Sequence, residues 1–455
     1  MRRAARAVSD TVIARLPSPV PGRSVVLLVG AGNNGGDALF AGADLRRRGV
    51  AVTAVLVDPD RAHAGGLAAL RRAGGRVLAP RAWELSPQVA LLLQRADVII
   101  DGLVGLGATP PLRAGAAVLV TAANAADGWR IAVDLPSGID PDTGREAGPV
   151  FRADATVTFG GMKTALLFAE SAGVVEVAEI GMVPADAGVD ADARMLTDGD
   201  AARMMPGPTA ADDKFSLGVT GVLAGSPRYP GAALLSVGGA VAARPGLVRY
   251  AGPCAADVVR RWPEVVAVPD VSQAGRVQAW VAGPGMGTDG AALAALRDVL
   301  ATDAPVLVDA DGLTLIAQAP SLLADRTRRG LTTVLTPHAG EFARLFPDLD
   351  PGGEAGRLAA VRAAAARCGA VVLLKGHRTV IAGPDGDAFV NTSGSPYLAT
   401  AGSGDVLSGL AGALLSAGLD GLTAAALAAF RHGRAGERAA AARRAGASAL
   451  LDHLD

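Results

Sequence analysis

Short runs of β-branched and aliphatic residues alternate with segments rich in alanine, leucine and arginine along most of the 455-residue chain. In the first part these runs are Val25–Val29, Val52–Val57, Val98–Ile100 and Ile131–Val133. In the second part they are Val219–Leu223, Val265–Val268, Val281–Ala282, Val306–Val308, Thr333–Leu335 and Val371–Leu374. Such runs, separated by helical segments, predict parallel strands that are buried on both faces. We therefore expect an α/β protein.

The alternation is interrupted between Pro184 and Asp213, where alanine, aspartate, proline and glycine predominate. A chain of this length exceeds what one hydrophobic core usually organises, so we expect two domains that separate here. The predicted boundaries are a first domain over residues 1–185, a linker over 186–211 and a second domain over 212–455. Both domains should be α/β, with right-handed crossovers.

The composition excludes several classes of function. The formal net charge is −1, whereas nonspecific nucleic-acid binding requires a basic surface. The apolar runs are of strand length, and Met1–Leu16 looks like an amphipathic helix without the apolar core of a signal peptide. The two cysteines, Cys254 and Cys368, predict neither a disulfide framework nor a metal site. We therefore expect a cytoplasmic protein with no nucleic-acid or membrane partner.

A glycine-rich turn follows the first predicted strand. It reads Gly30-Ala31-Gly32-Asn33-Asn34-Gly35-Gly36-Asp37, and a helical segment comes next. Glycines let such a turn approach a phosphate, and the start of a helix supplies amide donors for an anion. The asparagines and the aspartate add oxygen atoms, which suit a group-I cation or a polar substrate. Taken alone, a glycine-rich turn is equally compatible with a purely structural role.

Two further acids follow predicted strands of the first domain. Asp101 leads into a second glycine-rich stretch, and Asp134 begins Asp-Leu-Pro-Ser-Gly-Ile-Asp at 134–140. Open α/β sheets bind ligands at the carboxyl ends of their strands, so we expect these loops and the first turn to converge. The alternative is that Asp101 and Asp134 only cap the helices that come after them.

Together the three motifs resemble the NAD(P)H-hydrate epimerase (YjeF N-terminal) family over residues 1–185. The resemblance implies a Rossmann-like three-layer fold. It implies that the substrate is bound by Asn33, Asn34, Gly35, Gly36, Asp37 and Asp134, and its phosphates by Gly105, Leu106, Gly107, Ala108, Thr109, Pro110 and Pro111. It further implies a potassium ion on Asn34, Asp101 and Ser137, and a catalytic acid or base in Asp134.

Members of that family usually have a further helical segment before the counterpart of Met1–Leu16. The non-enzyme alternative is therefore that the first domain is a binding or scaffolding module. The presence of Asn34, Asp101 and Asp134 together favours a working site.

In the second domain, Gly402-Ser403-Gly404-Asp405 precedes a long apolar segment, Val406–Ala417. Amides at the start of a helix can stabilise a phosphoryl group in transfer, and Asp405 is placed to take a proton from the attacking hydroxyl. Aspartate is also a common helix cap, so this motif is weak alone. With the preceding segment 391–401, it resembles the anion hole of ribokinase-like phosphotransferases.

Several other loops narrow the resemblance to one branch. They are Lys214–Gly218, Ala224–Ser226, Tyr229–Ala233, Gly283–Gly287, Val308–Leu313, Leu335–Phe342 and Leu374–Thr379. Together they resemble the ADP-dependent NAD(P)H-hydrate dehydratase family over residues 200–455, which implies a ribokinase-like α/β fold.

The second resemblance also implies a site. The adenine nucleotide would be bound by Lys375, Gly376, His377, Arg378, Thr379 and Gly404. The hydrated dinucleotide would be bound by Ala233, Gly285, Gly287, His338 and Asp405. ADP would be the co-substrate, and a magnesium ion would bridge the phosphates.

The two resemblances imply one repair function. Hydrated NADH and NADPH (NADHX and NADPHX) carry a hydroxyl at C6 of the nicotinamide ring. The second domain would phosphorylate this hydroxyl with Asp405 as base, releasing AMP, and the ring nitrogen would then expel phosphate, a better leaving group than water. Because such a site accepts the S form only, the first domain would interconvert R and S forms, by ring opening or by reversible loss of the C6 oxygen, assisted by Asp134.

Some of these residues also have a structural interpretation. His338 is either a ligand contact or an ordinary surface residue, and Asp309 and Asp311 either orient the site or serve as turn and cap residues. His63, His432 and His453 lie outside the motifs and are expected in the core or at the surface.

Lysine is rare in this chain. Of the 43 basic residues, only Lys163, Lys214 and Lys375 are lysines, which favours a specific ammonium role for Lys375.

The alternative function is a vitamin or sugar kinase of ribokinase-like fold, fused to a non-catalytic Rossmann-like binding module. The loops at 337–341 and 375–379 favour the dehydratase. We also expect a homo-oligomer.

Overall fold

A computed structural model describes residues 1–80, 85–107, 109–182, 190–352, 356–444 and 446–454. The chain divides into two compact units, Met1–Ala191 and Asp192–Asp455. Ala108, predicted to line a phosphate site, lies outside the described residues, as do residues 186–189 of the predicted linker. The α/β prediction is confirmed for both units.

The first unit alternates helices and strands from its start. Its helices are α1 (Arg2–Arg15), α2 (Asn33–Arg47), α3 (Ala64–Arg72), α4 (Pro87–Gln94), α5 (Ala114–Asn124) and α6 (Thr164–Phe168). Its strands are β1 (Ser24–Val29), β2 (Ala51–Leu56), β3 (Arg76–Leu78), β4 (Val98–Gly102), β5 (Trp129–Val133), β6 (Ala155–Phe159) and β7 (Val174–Ala178). A short 3-10 helix covers Glu170–Ala172.

These strands form one parallel sheet in the order β3-β2-β1-β4-β5-β6-β7. Alternate residues of β1 face opposite cores: Val25 and Leu27 pack with α1 and α2, whereas Val26 and Leu28 pack with α4 and α5. The sheet is therefore covered on both faces, which is the predicted three-layer arrangement. The strand order reverses between β1 and β4, and a doubly wound sheet binds its ligand at the carboxyl ends of such a pair.

The second unit is larger. Its helices are α7 (Asp198–Met204), α8 (Pro230–Ala242), α9 (Ala255–Arg261), α10 (Gly290–Ala301), α11 (Asp311–Gln318), α12 (Ser321–Arg328), α13 (Ala339–Leu345), α14 (Gly356–Cys368), α15 (Ser403–Ser416), α16 (Gly421–Ala441) and α17 (Ala447–Leu451). Its strands are β8 (Val219–Leu223), β9 (Leu247–Ala251), β10 (Val266–Val268), β11 (Ala279–Ala282), β12 (Val306–Val308), β13 (Thr333–Leu335), β14 (Val371–Leu374), β15 (Thr379–Ala382) and β16 (Ala388–Asn391). Short 3-10 helices cover Val271–Gln273 and Pro396–Leu398.

The second sheet runs β10-β9-β8-β11-β12-β13-β14-β15-β16, parallel except for an antiparallel hairpin formed by β15 and β16 at one edge. Val222 of β8 packs in a core with α8, α15 and α16, and the next residue, Leu223, faces a core with α10 and α11. The order reverses between β8 and β11, so the loops after these strands and their neighbours are expected to form the ligand edge.

Part of the segment predicted as a linker is packed in the second unit. Arg194 pairs with Phe389 of β16 as an isolated bridge, and Leu196 and Met204 pack against the second core. Asp198, at the start of α7, forms an ion pair of 2.7 Å with Arg434 of α16. Residues 192–205 therefore belong to the second unit, because their few apolar side chains have a partner surface.

None of the described helices combines the length and apolarity needed to cross a membrane.

Candidate functional sites

The first predicted site lies at the reversal of strand order in the first unit. The chain leaves β1 at Gly30, and a Cβ atom at this position would lie 1.8 Å from the carbonyl oxygen of Leu103, which follows β4. Glycine is therefore required for the two strand ends to approach each other. The helix α2 begins at Asn33, after Gly32 in a conformation with φ of 87°. Residues 33–37 thus form the first turns of α2 rather than a loop before it.

The three residues predicted to hold potassium are brought together. Asp101 is completely buried, and its carboxylate accepts hydrogen bonds from the backbone and the hydroxyl of Ser137, both of 2.7 Å, and from Leu103 N at 3.1 Å. Asn34 Nδ2 donates to Val104 O at 2.6 Å, and Val104 N donates to Ser137 Oγ at 3.2 Å. Burial raises the pKa of Asp101 to about 6, against the opposing effect of these hydrogen bonds.

Asp134 stands directly after β5, and its backbone has φ of 65°. Its Oδ1 atom accepts a hydrogen bond of 2.9 Å from Thr158 Oγ1 and forms an ion pair of 2.7 Å with Lys163 Nζ. The motifs did not identify Lys163 or Thr158 as part of the site. The signal available for Lys163 was its type, since it is one of three lysines in the chain.

The structure does not support the alternative that Asp101 and Asp134 cap the helices that come after them. Asp101 lies within β4 and is followed by α5 only at Ala114, whose N-cap is Arg113. Asp134 is followed by the strand β6. Asp101 bonds to Ser137 and Leu103, and Asp134 bonds to the side chains of Thr158 and Lys163, so neither acid caps a helix.

A cavity of about 690 Å³ opens over these strand ends. The predicted residues that line it are Asn33, Asn34, Asp37, Gly105, Leu106, Gly107, Thr109, Pro110, Pro111 and Asp134. Gly35 and Gly36 are buried in α2 behind this lining, and a Cβ atom at Gly36 would lie 2.8 Å from the ring of His63. His63 has a structural role beside the site, since its Nδ1 atom caps α3.

Asp37 projects into this cavity in an unusual environment. Its Oδ1 atom is buried and accepts no hydrogen bond from the described residues, and the amino group of Met1 is 4.0 Å away. Burial raises the pKa of Asp37 to about 6, and the negative charge of Asp134 adds to this, against the opposing effects of the amino terminus and His63. Asp37 is thus suited to carry a proton near neutral pH.

The second predicted site is built around the start of α15. This helix begins at Ser403, with Gly402 before it in the left-handed conformation, so Asp405 lies in the first turn. Burial raises the pKa of Asp405 to about 7; the charge of Asp309 acts in the same direction, Lys375 opposes it, and Asp311 adds a smaller increase. An acid whose pKa lies near the working pH is well suited to general-base catalysis.

Lys375 and Asp309 form the centre of a buried network. Lys375 Nζ lies 2.7 Å from Asp309 Oδ1 and 3.9 Å from Glu341 Oε2. Ser408 Oγ, one turn beyond Asp405 on α15, donates to Asp309 Oδ2 at 2.7 Å. Asp309 therefore joins the loop after β12 to α15 and β14, which is the orienting role rather than that of a turn residue.

Asp311 and His338 both stand at the start of a helix. Asp311 is the first residue of α11, and its carboxylate accepts a hydrogen bond of 2.9 Å from Gly287 N in the loop after β11. His338 caps α13, with Nδ1 accepting from Gly340 N and Glu341 N, while its side chain stays 55% exposed. Besides its place at the start of α11, Asp311 therefore bonds to the loop after β11 that contains Gly287.

The remaining predicted substrate residues stand on α8 and on the loop after β11. Ala233, on α8, is completely buried, and a Cβ atom at Gly285 would lie 2.7 Å from Ala232 on the same helix. Gly225 N donates to Pro284 O at 2.7 Å, which joins the loops after β8 and β11. These loops meet at the carboxyl edge of the sheet.

A separate cavity of about 380 Å³ contains most of the predicted nucleotide site. Lys375, Gly376, His377, Thr379 and Gly404 line it, together with Asn391, Ser393, Leu398, Leu407, Ala429 and His432. Arg378 is not among the lining residues, and its guanidinium donates to Thr392 O. His432 was expected in the core or at the surface; it is buried at this cavity, and burial lowers its pKa to about 4, so its ring is neutral.

Comparison with known proteins identifies relatives of both units. The family model described as YjeF-related protein N-terminus matches residues 1–165, and the one described as NAD(P)H-hydrate dehydratase matches residues 220–454. A protein of Mycobacterium leprae (strain TN) named bifunctional NAD(P)H-hydrate repair enzyme is 48% identical over 445 residues, which are 97% of this chain and 89% of that protein. Its namesake from Mycobacterium tuberculosis (strain ATCC 25618 / H37Rv) is 50% identical over 432 residues, 94% and 86% of the two chains.

Two solved structures are similar in fold. The ADP/ATP-dependent NAD(P)H-hydrate dehydratase from Bacillus subtilis, co-crystallised with ATP and Mg²⁺, matches 58% of this chain and 97% of its own at 28% identity, with a TM-score of 0.50. A ribokinase-like superfamily protein from Enterococcus faecalis V583 matches 58% and 95% of the two chains at 24% identity, with a TM-score of 0.51. The ribokinase-like fold predicted for the second unit is confirmed.

Proposed function

This chain belongs to the family of bifunctional NAD(P)H-hydrate repair enzymes, and we propose that its two sites divide the repair between them. The first unit interconverts the R and S hydrates of NADH and NADPH, and the second dehydrates the S form at the expense of ADP. The family favours this function over a vitamin or sugar kinase fused to a binding module, because the named relatives match nearly the whole chain.

In the second site, Asp405 accepts the proton of the C6 hydroxyl while that oxygen attacks the β-phosphorus of ADP. The bond between this phosphorus and the bridging oxygen breaks, and AMP leaves. The lone pair of the ring nitrogen then expels phosphate from C6, and loss of a proton from C5 restores the dihydropyridine. The amides at the start of α15 stabilise the charge on the phosphoryl group in transfer.

Magnesium in this site is proposed to arrive with the nucleotide. Among the described residues, no group of three or more His, Cys, Asp or Glu side chains could hold a metal ion. Magnesium at phosphate sites usually keeps waters and phosphate oxygens as ligands, which fits this finding. The cation would neutralise phosphate charge, while Lys375, released from Asp309, would contact the phosphates. The Bacillus relative is called ADP/ATP-dependent, and we propose ADP as the co-substrate here.

In the first site, Asp134 is proposed to act as the base. Its carboxylate forms an ion pair of 2.7 Å with Lys163, and we propose that it accepts a proton in ring opening rather than giving one in loss of the hydroxyl. Asp134 takes the C6 hydroxyl proton, the bond from C6 to N1 breaks, and C6 becomes an aldehyde carbonyl. The electron pair stays on N1, which receives a proton from Asp37. Closure on the other face of the carbonyl, with both protons returned, gives the other epimer.

The residues around Asp101 fit a potassium ion. Asp101 is a buried carboxylate whose three hydrogen bonds come from neutral donors, and the amide of Asn34 and the hydroxyl of Ser137 lie beside it. Hard oxygen atoms of this kind suit a group-I cation, and a positive charge would offset the cost of burying Asp101. The ion would fix substrate oxygens.

Cytoplasmic location and self-association stay predictions from the sequence.

The observation that most strongly supports this function is the position of Asp405, in the first turn of α15 beside Lys375 and the 380 Å³ cavity. The test is to incubate the purified protein with separate R and S hydrates, with and without ADP or ATP, in potassium buffer. Recovery of dihydronicotinamide absorbance from the S form only with nucleotide is expected, with AMP and phosphate in equal amounts. A protein that phosphorylates a vitamin or sugar but recovers no NADH would contradict the proposal.

A further inference from the structure

The ammonium group of Lys163 lies in the first unit between two acceptors. Nζ is 2.7 Å from Asp134 Oδ1 and donates to Phe159 O, also at 2.7 Å. The side chains of Lys163 and Asp134 are 17% and 14% exposed, so solvent screens this pair less than a surface ion pair. Phe159 lines the substrate cavity, and Lys163 approaches Asp134 from the loop between β6 and α6.

A lysine at this position is notable in a chain that otherwise uses arginine for nearly all its positive charge. A planar guanidinium presents its donors in a fixed fork, whereas an ammonium directs three donors tetrahedrally from one atom. Two of the three donors of Lys163 are used by Asp134 and Phe159. The compact ammonium lets one side chain bond to a carboxylate and to a backbone carbonyl that lie close together.

The backbone of Asp134 is itself held in an uncommon conformation. Its φ of 65° lies in the left-handed region, which a residue with a side chain adopts only when its surroundings enforce it. Asp134 N donates to Val157 O of β6 at 2.8 Å, and Thr158 on the same strand bonds to the carboxylate. The strand β6 and the loop after it therefore fix both the backbone and the carboxylate of Asp134.

The charges that act on this carboxylate are of both signs. Lys163 touches it, and Asp37 faces it from α2 across the cavity. Asp37 in turn lies near His63 and 4.0 Å from the amino group of Met1. Among the described residues, the positive group in direct contact with Asp134 is Lys163.

We propose that Lys163 is a positioning residue of the epimerase, which holds the carboxylate of Asp134 and aims it into the cavity, so that Asp134 accepts the proton and Asp37 is the carboxyl group that gives it. This inference rests on the proposed function of the first unit. Lys163 itself exchanges no proton with the substrate. It gives Asp134 and Asp37 different roles, since one accepts a proton and the other donates one. Ring opening and closure require both roles.

The test compares the pH dependence of epimerisation in Lys163→Met, Lys163→Arg and the wild-type protein. The R hydrate is followed by chiral chromatography without nucleotide, in potassium buffer, after subtraction of the spontaneous rate. In Lys163→Met the acidic limb of kcat/KM should move to higher pH by about one unit or more, since an opposite charge in contact typically has that effect. Lys163→Arg keeps the charge, so its limb should stay near that of the wild type even if its maximal rate falls.

Lys214→Met is the matched control, because it makes the same substitution at an exposed lysine of the second unit. It should leave the epimerase profile unchanged. A Lys163→Met profile that keeps its limb, whether or not the maximal rate falls, would show a merely structural role and overturn the proposal. A wild-type protein that does not epimerise the R hydrate contradicts the proposed function instead, so the two failures are distinguishable.

Discussion

The two candidate bases, Asp134 and Asp405, are both near a lysine, but the lysines are used differently. In the first unit, Lys163 is in direct contact with the base itself. In the second, Lys375 is in contact with Asp309, a neighbour of the base, and affects Asp405 only through its charge. Burial and the nearby acids therefore raise the pKa of Asp405 to about 7.

This difference corresponds to what each reaction needs. Ring opening requires no cosubstrate, so its base can be held permanently by a resident cation. Phosphoryl transfer brings its own charged cosubstrate, so a lysine held on Asp309 is available to move to the phosphates when the nucleotide arrives. In the proposed function, the same pair of residue types would serve two chemistries, depending on which carboxylate the lysine contacts.

The largest effect is expected for Asp405→Asn. An amide cannot take the hydroxyl proton, and loss of a general base typically reduces the rate by about 10²–10⁴. ADP-dependent recovery of NADH from the S hydrate should fall by this factor, while ADP binding measured by calorimetry stays near that of the wild type. Asp134→Ala is the reciprocal control: it should eliminate epimerisation of the R form and spare dehydration of the S form. Unchanged turnover in Asp405→Asn would remove the phosphoryl-transfer mechanism.

The next effect concerns potassium in the first unit alone. Ser137→Ala removes one oxygen atom and one of the three hydrogen bonds that hold Asp101, and it leaves the two backbone donors in place. The potassium concentration for half-maximal epimerisation should rise by about tenfold to a hundredfold, the scale typical of changes around a bound ion. Dehydration of the S form by the same variant serves as the control and should not change. Equal potassium dependence in variant and wild type would exclude Ser137 from the ion site.

A smaller effect is expected for Asp309→Asn in the second unit. The substitution removes a negative charge near Asp405 and frees Lys375 from its partner, and both changes favour the ionised base. The pKa of Asp405 should therefore fall below about 7, and the acidic limb of the dehydratase profile should move to lower pH by about one unit. Asp311→Asn is the matched variant and should give a smaller shift in the same direction. An acidic limb that stays in place or moves to higher pH in Asp309→Asn would contradict this account of the site.

The sequence was sufficient for the α/β class and for the strands that are purely apolar, such as β12 and β14. It was not sufficient for β6, where threonine alternates with apolar residues, or for the hairpin of β15 and β16. That hairpin had a usable signal in the sequence Gly-Pro-Asp-Gly-Asp at 383–387, a turn composition between two apolar runs. A search for apolar runs misses β6 because its threonines interrupt the run although the strand is buried.

The motifs identified which residues would lie at the strand ends but not how they would pair. Lys375 and Asp309 are 66 residues apart and Ser408 is 99 residues from Asp309, so no local pattern relates them. Lys163 and Thr158 were missed for the same reason, since β6 itself was not predicted. Contacts of this kind are fixed by the topology of the sheet, which brings distant loops to one edge.

The smallest effect tests where the two units separate. The second unit expressed from Asp192 keeps α7, whose neighbourhood includes Leu196, Met204 and Met205, half-buried against the second core. A version that starts at Ala211 loses these contacts, at a cost of about 2 kcal/mol by the area they bury. Its melting temperature should therefore be lower by roughly 4–8 °C, with dehydratase turnover unchanged at low temperature. Thermal unfolding of the two fragments measures this, with the full chain as reference. Equal melting temperatures would mean that residues 192–210 act as a linker after all, and an inactive fragment from Asp192 would mean that the second site depends on the first unit.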